Sequence, residues 1–241
     1  MSRYGRFCLG LLIAFAIYWA LLAIAPYDRQ DWLLENALTF MFVPVIVVSY
    51  WVLPLSRISY FFIFVFMCLH SLGAHDTYSQ VPYDAWTQSL FGTSINDAFG
   101  WQRNHFDRLV HFSYGLLLAY PAREIFFRLA SARGFWSYFL PLDIVMSTSM
   151  IFELIEWAVA EIVGGDLGIA YLGAQGDVWD AHKDMALASL GALITMSVTM
   201  AVNAKLQRDF AREWQESWKV KVAEPLGERR LMRFFRPGDK D

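Results

Sequence analysis

The sequence predicts an all-α, polytopic membrane protein: about six transmembrane helices in one bundle, with both termini cytoplasmic. Three observations lead there. Of the 241 residues, 56% are hydrophobic and 17% aromatic, with a mean hydropathy of +0.34, too apolar for an ordinary soluble domain. Several apolar runs approach the roughly 20 residues that a helix needs to cross a bilayer; they are continuous rather than alternating, which argues against a β-barrel. With the N-terminus placed inside, 16 of the 20 Lys and Arg residues fall on the cytoplasmic side. Without the last stretch of chain the ratio is still six to four, the bias that orients membrane helices.

The elements follow in order. The first span is Phe7–Ala25, with Arg3 and Arg6 ahead of it. "AIA" at 23–25 resembles a signal-peptide cleavage site, but Pro26 follows directly, so an uncleaved anchor is expected. Leu33–Leu53 and Ile58–His75 are the second and third spans. The stretch Asp76–Asn104 mixes Tyr, Trp and Phe with Pro, Gly, Asn and Asp. Such a segment cannot lie exposed in hydrocarbon. It is expected on the outer interface, anchored by Trp86 and Trp101, either as a lid or as a plain surface loop. The fourth span is His105–Phe127, with Pro121 expected to kink it near its end. Phe135–Val163 is the fifth. "GGDLGIAYLGAQGD" then reads as a tight turn that positions Asp177, and Val178–Ala204 is the sixth.

Residues 1–204 thus form one transmembrane helical domain, and 205–241 a charged cytoplasmic tail. In that tail Phe210, Trp214 and Trp218 recur every four residues among Arg and Lys. This fits a helix lying on the membrane interface; a solvated helix fits as well. Cys8 and Cys68 both fall inside spans, so neither a disulfide framework nor a thiolate metal site is expected. No nucleic-acid signature is present, and the net charge of -3 says little by itself; the placement of the charges says more.

The ionisable residues are not spread evenly. His70, His75 and Asp76 close the third span. His105, Asp107, Arg108 and His111 open the fourth. Glu153 and Glu156 lie toward the outer end of the fifth, and Asp177, Asp180, His182, Lys183 and Asp184 open the sixth. Four segments therefore deliver charge to one depth on one side. Asp107 and His111, four apart, share a helix face, as do Glu153 and Glu156, three apart. Asp177, Asp180 and Asp184 are expected to form a single stripe, with His182 and Lys183 pointing elsewhere. Ala186, Ala188, Ser189, Gly191 and Ala192 would let a neighbouring helix approach closely. Asp143 and Glu124 fall toward the cytoplasmic side, where Arg123 or headgroups would pair with them.

A charge in a membrane helix costs about 2.5–3.5 kcal/mol even on the gentler scale. Six inward carboxylates face three fixed cations, Arg103, Arg108 and Lys183. The surplus negative charge must be offset by protons, protonated histidines or a bound cation. Three readings stay open. A divalent metal would take mixed carboxylate and imidazole ligands from Asp107, His111, Glu153 and Glu156, with Asp177, Asp180 and Asp184 completing the shell. Shared protons would make a proton path. An ion-pair network would simply lock the helices together.

"RNHFDRLVHFSYGLLLAYPARE", "FELIEWAVAEIVGG" and "LGAQGDVWDAHKDMALASLGAL" closely resemble the YjdF-like family of bacterial inner-membrane proteins. The likeness runs from about His70 to Leu193. More distantly, the order of Asp, His, Glu and Asp around the spans is similar to VanZ-like membrane proteins, one of which is associated with glycopeptide resistance. The resemblance implies a multi-helix bundle in the bacterial inner membrane and brings no reaction with it. It places Asp107, His111, Glu153, Glu156, Asp177, Asp180 and Asp184 in the family's signature blocks. The family pattern has Gln where this chain has His182, which sets His182 apart from the essential ligands.

The leading expectation is a polar site opening toward the outer leaflet that binds a divalent metal ion. As an enzyme it would hydrolyse or transfer groups on a lipid-linked or envelope substrate. Asp107, His111, Glu153 and Glu156 would hold metal or act as general base, and Arg103, Arg108 and Lys183 would take an anionic headgroup. Ser113 and Ser189 have no triad context. A proton- or ion-coupled transporter, or an envelope scaffold, is the alternative.

Overall fold

A computed structural model describes residues 1–222 and Phe235. Among these residues there are ten helices. In chain order they are α1 (Arg3–Leu22), α2 (Arg29–Val52), α3 (Arg57–His75), α4 (Tyr83–Phe91), α5 (Ile95–Phe99), α6 (Phe106–Leu129), α7 (Trp136–Val163), α8 (Gly165–Leu172), α9 (Asp180–Leu206) and α10 (Phe210–Glu216). Hydroxyl and carboxylate caps start the first three: Ser2 accepts from the Gly5 N–H, Asp28 from Gln30 and Asp31, and Ser56 from Ser59. Each satisfies backbone donors that a helix start leaves orphaned.

α1, α2, α3, α7 and α9 are long and apolar enough to cross a membrane. α1, α2, α7 and α9 carry exposed Leu, Ile, Val, Phe or Trp along most of their length, while α3 exposes only Ile58 and Phe61 among its large apolar residues; such surface suits hydrocarbon and would aggregate in water. The sixth expected span, α6, has 24 residues, about 36 Å of helix. It falls outside that set because it carries Asp107, Arg108, Arg123, Glu124 and Arg128. Its neighbours explain how it tolerates them: α3, α7 and α9 pack around it, so its charges meet protein rather than lipid.

The α6–α9 seam organises the bundle. A Cβ on Gly115 would collide with the carbonyl oxygen of Ala188, and one on Gly191 with that of Phe112. The backbones therefore touch, as small residues permit in membrane interfaces. Thr195 Oγ1 donates to the Leu116 carbonyl across the same seam at 2.5 Å. Below it, Ala119, Tyr138, Val145, Ala188, Ala192 and Met196 form a closed core.

Several expectations need correction. The glycine-rich stretch before the last span is not one turn: Gly165–Leu172 is helical. Its apolar residues account for this, since α8 packs on α7 and α2. Asp177 is not part of a helical stripe, because α9 starts only at Asp180. Glu124 does not pair with Arg123. It accepts from the Ser56 N–H at 2.8 Å and from Ser59 Oγ at 2.6 Å, where the positive end of α3 favours a carboxylate. Arg123 instead lies 4.7 Å from the centre of the Tyr138 ring. Asp143 is exposed. Pro121 sits buried inside α6.

The tail turns back. α10 packs against the start of α7: the Phe135 N–H donates to Ser217 Oγ at 3.1 Å, and Trp136 Nε1 donates to the Ser217 carbonyl at 2.9 Å. Phe210 and Trp214 meet Tyr138, while Trp218 stays exposed against Phe135. Except for Phe235, the remainder of the charged tail, 223–241, lies outside the described residues.

Candidate functional site

The starts of α6 and α9 and the ends of α3 and α7 meet at one end of the bundle. The ionisable residues there sort into two layers.

The outer layer is a paired network. Arg103 bonds to Asp180 and donates to the Ala174 carbonyl at 3.0 Å. Arg108 bonds to Asp177, reaches Asp180 Oδ1 at 3.1 Å, and lies 3.0 Å from His105 Nδ1. Lys183 Nζ donates to Asp177 Oδ2 at 2.5 Å. Asp177 also accepts from the Trp179 N–H. The Lys183 ammonium, then the Trp179 amide and Arg108, hold the Asp177 carboxyl well below the usual carboxylate range. Burial first, then Arg108 and Arg103, lower His105, keeping that imidazole neutral. Asn104 and Gln175 exchange two hydrogen bonds, at 3.0 and 3.1 Å, closing this layer over the site.

The inner layer is built around His111. It holds Asp107 and His111 from α6, Glu153 and Glu156 from α7, and Asp184 from α9. Asp107, His111 and Asp184 each offer one ligand atom, all within 4.8 Å of one another. His111 Nε2 lies 3.4 Å from Asp107 Oδ1 and 3.6 Å from Glu153 Oε1. These distances are long for hydrogen bonds. The His111–Asp107 distance is that of two ligands sharing one ion, since ligands about 2.1 Å from an ion stand roughly 3.0–3.4 Å apart, while the His111–Glu153 distance is longer than that range. Asp184 is 2% exposed, yet its Oδ1 has no hydrogen-bond partner, and neither does Glu153 Oε1. Among the described residues none of these carboxylates pairs with Lys or Arg.

α2 adds a carboxylate that the sequence reading missed. Glu35 is buried, and its charge acts on Glu156, as theirs and Asp107's act on Tyr78. Asp31, Glu35 and Thr39 are all buried; their spacing of four puts them on one inward stripe. That spacing inside "DWLLENALT" was the available signal.

Glu35, His70, Asp107, His111 and Glu156 share a cavity of about 290 Å3 with Tyr78 and Tyr171. Thr77 and Tyr78 both have positive φ, +47° and +52°, uncommon for non-glycine residues. This turn brings Tyr78 Oη to 2.5 Å from His70 Nδ1. Burial first, then Glu35 and Glu156 among the nearby charges, push both phenols above their ordinary range, so they stay protonated. Of the other histidines, His75 meets the Leu22 carbonyl and exposed His182 rests against Trp179. The long connection of α4 and α5 is tied to the start of α6 through Tyr83, Asn96 and Asn104.

The sequence-selected residues thus divide. Asp107, His111, Glu153, Glu156 and Asp184 converge on the inner layer. Asp177 and Asp180 converge with Arg103, Arg108 and Lys183.

The family model described as "Predicted membrane protein (DUF2238)" matches residues 7–205. The chain belongs to the DUF2238 family of membrane proteins. This DUF2238 member is 32% identical over 188 residues to the inner membrane protein YjdF of Escherichia coli (strain K12), a match covering 78% of this chain and 86% of YjdF. It is an integral protein of the bacterial inner membrane. No solved structure matches it.

Proposed function

We propose that the inner layer binds a divalent cation, and that the protein uses it on the headgroup of a lipid-linked substrate. The observation that carries this is the division of charge. Arg103, Arg108 and Lys183 are spent on Asp177 and Asp180, leaving five buried or half-buried carboxylates around His111 that have no fixed cation among the described residues. One divalent ion would offset two of these charges and satisfy Asp184 Oδ1 and Glu153 Oε1 together, with protons on the carboxyls that remain. Asp107, His111 and Asp184 would be its ligands, with Glu153 in reach. Glu156 and Glu35, beside the ion and not among its first ligands, are placed to take up a proton. A bound divalent ion polarises a phosphoryl or carbonyl oxygen and acidifies a water, which suits hydrolysis or transfer.

Transport is the weaker reading. The closed core of Ala119, Val145, Ala188, Ala192 and Met196 lies directly below the site, which disfavours a conduction path.

Elemental analysis of purified protein, with thermal shifts on adding Mg2+, Mn2+ or Zn2+, tests the proposal. One bound ion per chain is expected, lost in Asp184→Asn and His111→Ala. Protein without metal, whose melting point none of the three ions moves, overturns it.

A further inference from the structure

The cavity lined at one end by Glu35, Asp107, His111 and Glu156 has a different character along the rest of its length. From Asp107 to Leu118, both of which line it, it follows α6 for about 16 Å. Past the carboxylates its walls are Leu38, Met41, Phe42, Phe66, Phe152 and Ile155. A volume of about 290 Å3 drawn out over that length is a narrow slot. Its shape and chemistry suit an amphiphile: charged groups at one end and a mainly apolar wall beyond, interrupted by Tyr114, Thr148 and Ser149.

The slot has a side opening. α2 packs principally on α3 and α8, so it stands apart from α7 across the cavity. Met41 and Phe42 on α2, and Ile151 and Ile155 on α7, line the slot and are also 42–58% exposed. In a spanning bundle such apolar exposure faces the acyl chains of the bilayer. The interior is shielded: Val110 and Met67 line the slot and are only 6% and 5% exposed.

We infer that the acyl chain of a membrane phospholipid enters sideways between α2 and α7, bringing its head to Asp107 and His111, the members of the proposed ligand set that line the cavity. The occupant is set by the surroundings and by the polar end. Phospholipid is the hydrocarbon that bathes the rim, and its phosphate and ester oxygens lie where the chain meets the head. Oxygen donors there could complete the shell of a hard cation. The headgroup part rests on the proposed ion; admission of the chain does not.

The test is photo-crosslinking in phosphatidylethanolamine–phosphatidylglycerol nanodiscs, using a phospholipid with a diazirine midway along one chain. Adducts are mapped by mass spectrometry. Labelling is expected at Val110 and Met67 as well as at Val45 and Val48, which face outward on α2. Ile155→Trp, a change at the exposed rim, should cut interior labelling several-fold and leave Val45 and Val48 unchanged. Labelling confined to Val45 and Val48, or interior labelling by a diazirine polyprenyl phosphate and not by the phospholipid, overturns the inference. Elemental analysis of the same protein, purified without chelator, separates the two ideas. Interior labelling with no bound metal defeats only the ion; bound metal with an unlabelled interior defeats only the lateral route.

Discussion

His111 and Asp184 face each other across the α6–α9 seam one helical turn from the point where Gly115 meets the Ala188 backbone. The register is fixed by sequence: Gly115 follows His111 by four residues, and Ala188 follows Asp184 by four. Residues four apart stack on one helix face. Close approach at the lower pair therefore sets the separation of the upper pair. The small residues of the seam are part of the site even though they touch no ligand atom.

Gly115→Ala should accordingly damage stability and site together. Its Cβ has no flexible side chain to displace, only backbone. Overpacking costs about 1–3 kcal/mol when side chains can shift, and here the loss should reach or exceed the upper end. Gly191→Ala, aimed at the Phe112 carbonyl, should behave alike. Thermal unfolding in detergent measures the first effect, and divalent-ion retention in the surviving folded fraction measures the second. A melting point within a degree of the parent would show that the seam is looser than described.

Asp184→Asn should move stability in opposite directions with and without ion. In metal-free protein the change removes a buried charge with an unsatisfied oxygen, so the variant should be more stable by about 1 kcal/mol or more. The parent gains about 2.7 kcal/mol from an ion at 100 times its Kd, and the variant should lose that gain. Paired melts in EDTA and in excess Mn2+ read both signs. Had Asp184 been one member of a satisfied structural network, the substitution would destabilise in both buffers.

Much of this was legible in the chain. Spans of 19 to 28 residues announce themselves by length and composition, and the helical period alone puts Asp107 with His111 and Glu153 with Glu156 on shared faces. Two kinds of information were not legible. Glu35 hides in an otherwise apolar run, and placing the second span's start at Leu33 put Asp31 outside the helix that it in fact shares with Glu35. The division of the cations depends on distances between α6 and the turn at Asp177, which no periodicity encodes. Treating Asp177 as helical merged it with Asp184, whereas the turn before α9 carries it out to Lys183 and Arg108. The glycines around α8 look like a turn because spacing alone does not reveal that Gly168 and Tyr171 are buried where α8 packs on α7 and α2.

Arg108→Ala tests that division. Asp180 is 6% exposed and would keep only Arg103, while Asp177 would keep Lys183 as its nearest cation. Removing one partner of a buried pair costs about 3–5 kcal/mol; the partial exposure of this layer and the remaining cations place the expected loss at the lower end. Adding Asp180→Asn should restore part of the stability by removing the carboxylate left underpaired. Neither change should release an ion from Asp107, His111 and Asp184. Loss of bound ion in Arg108→Ala protein that melts normally would mean that the layers are not separate.

Acid should weaken the outer layer before it unfolds the helices. Asp177 lies outside the spans, and its carboxyl is depressed in the folded protein by Lys183, the Trp179 amide and Arg108. A group depressed on folding stabilises above its unfolded pKa, about 3.9 for Asp, and that contribution disappears as pH falls toward the folded value. The melting point should thus hold steady from neutrality to roughly pH 5 as far as this group is concerned, then drop below about 4. Lys183 is half-exposed, so solvent screens the pair and the drop should be modest. Asp177→Asn should start lower at pH 7 and fall less between pH 5 and 3. A variant with the parent's acid slope would assign that slope to other carboxylates and leave Asp177 no part in it.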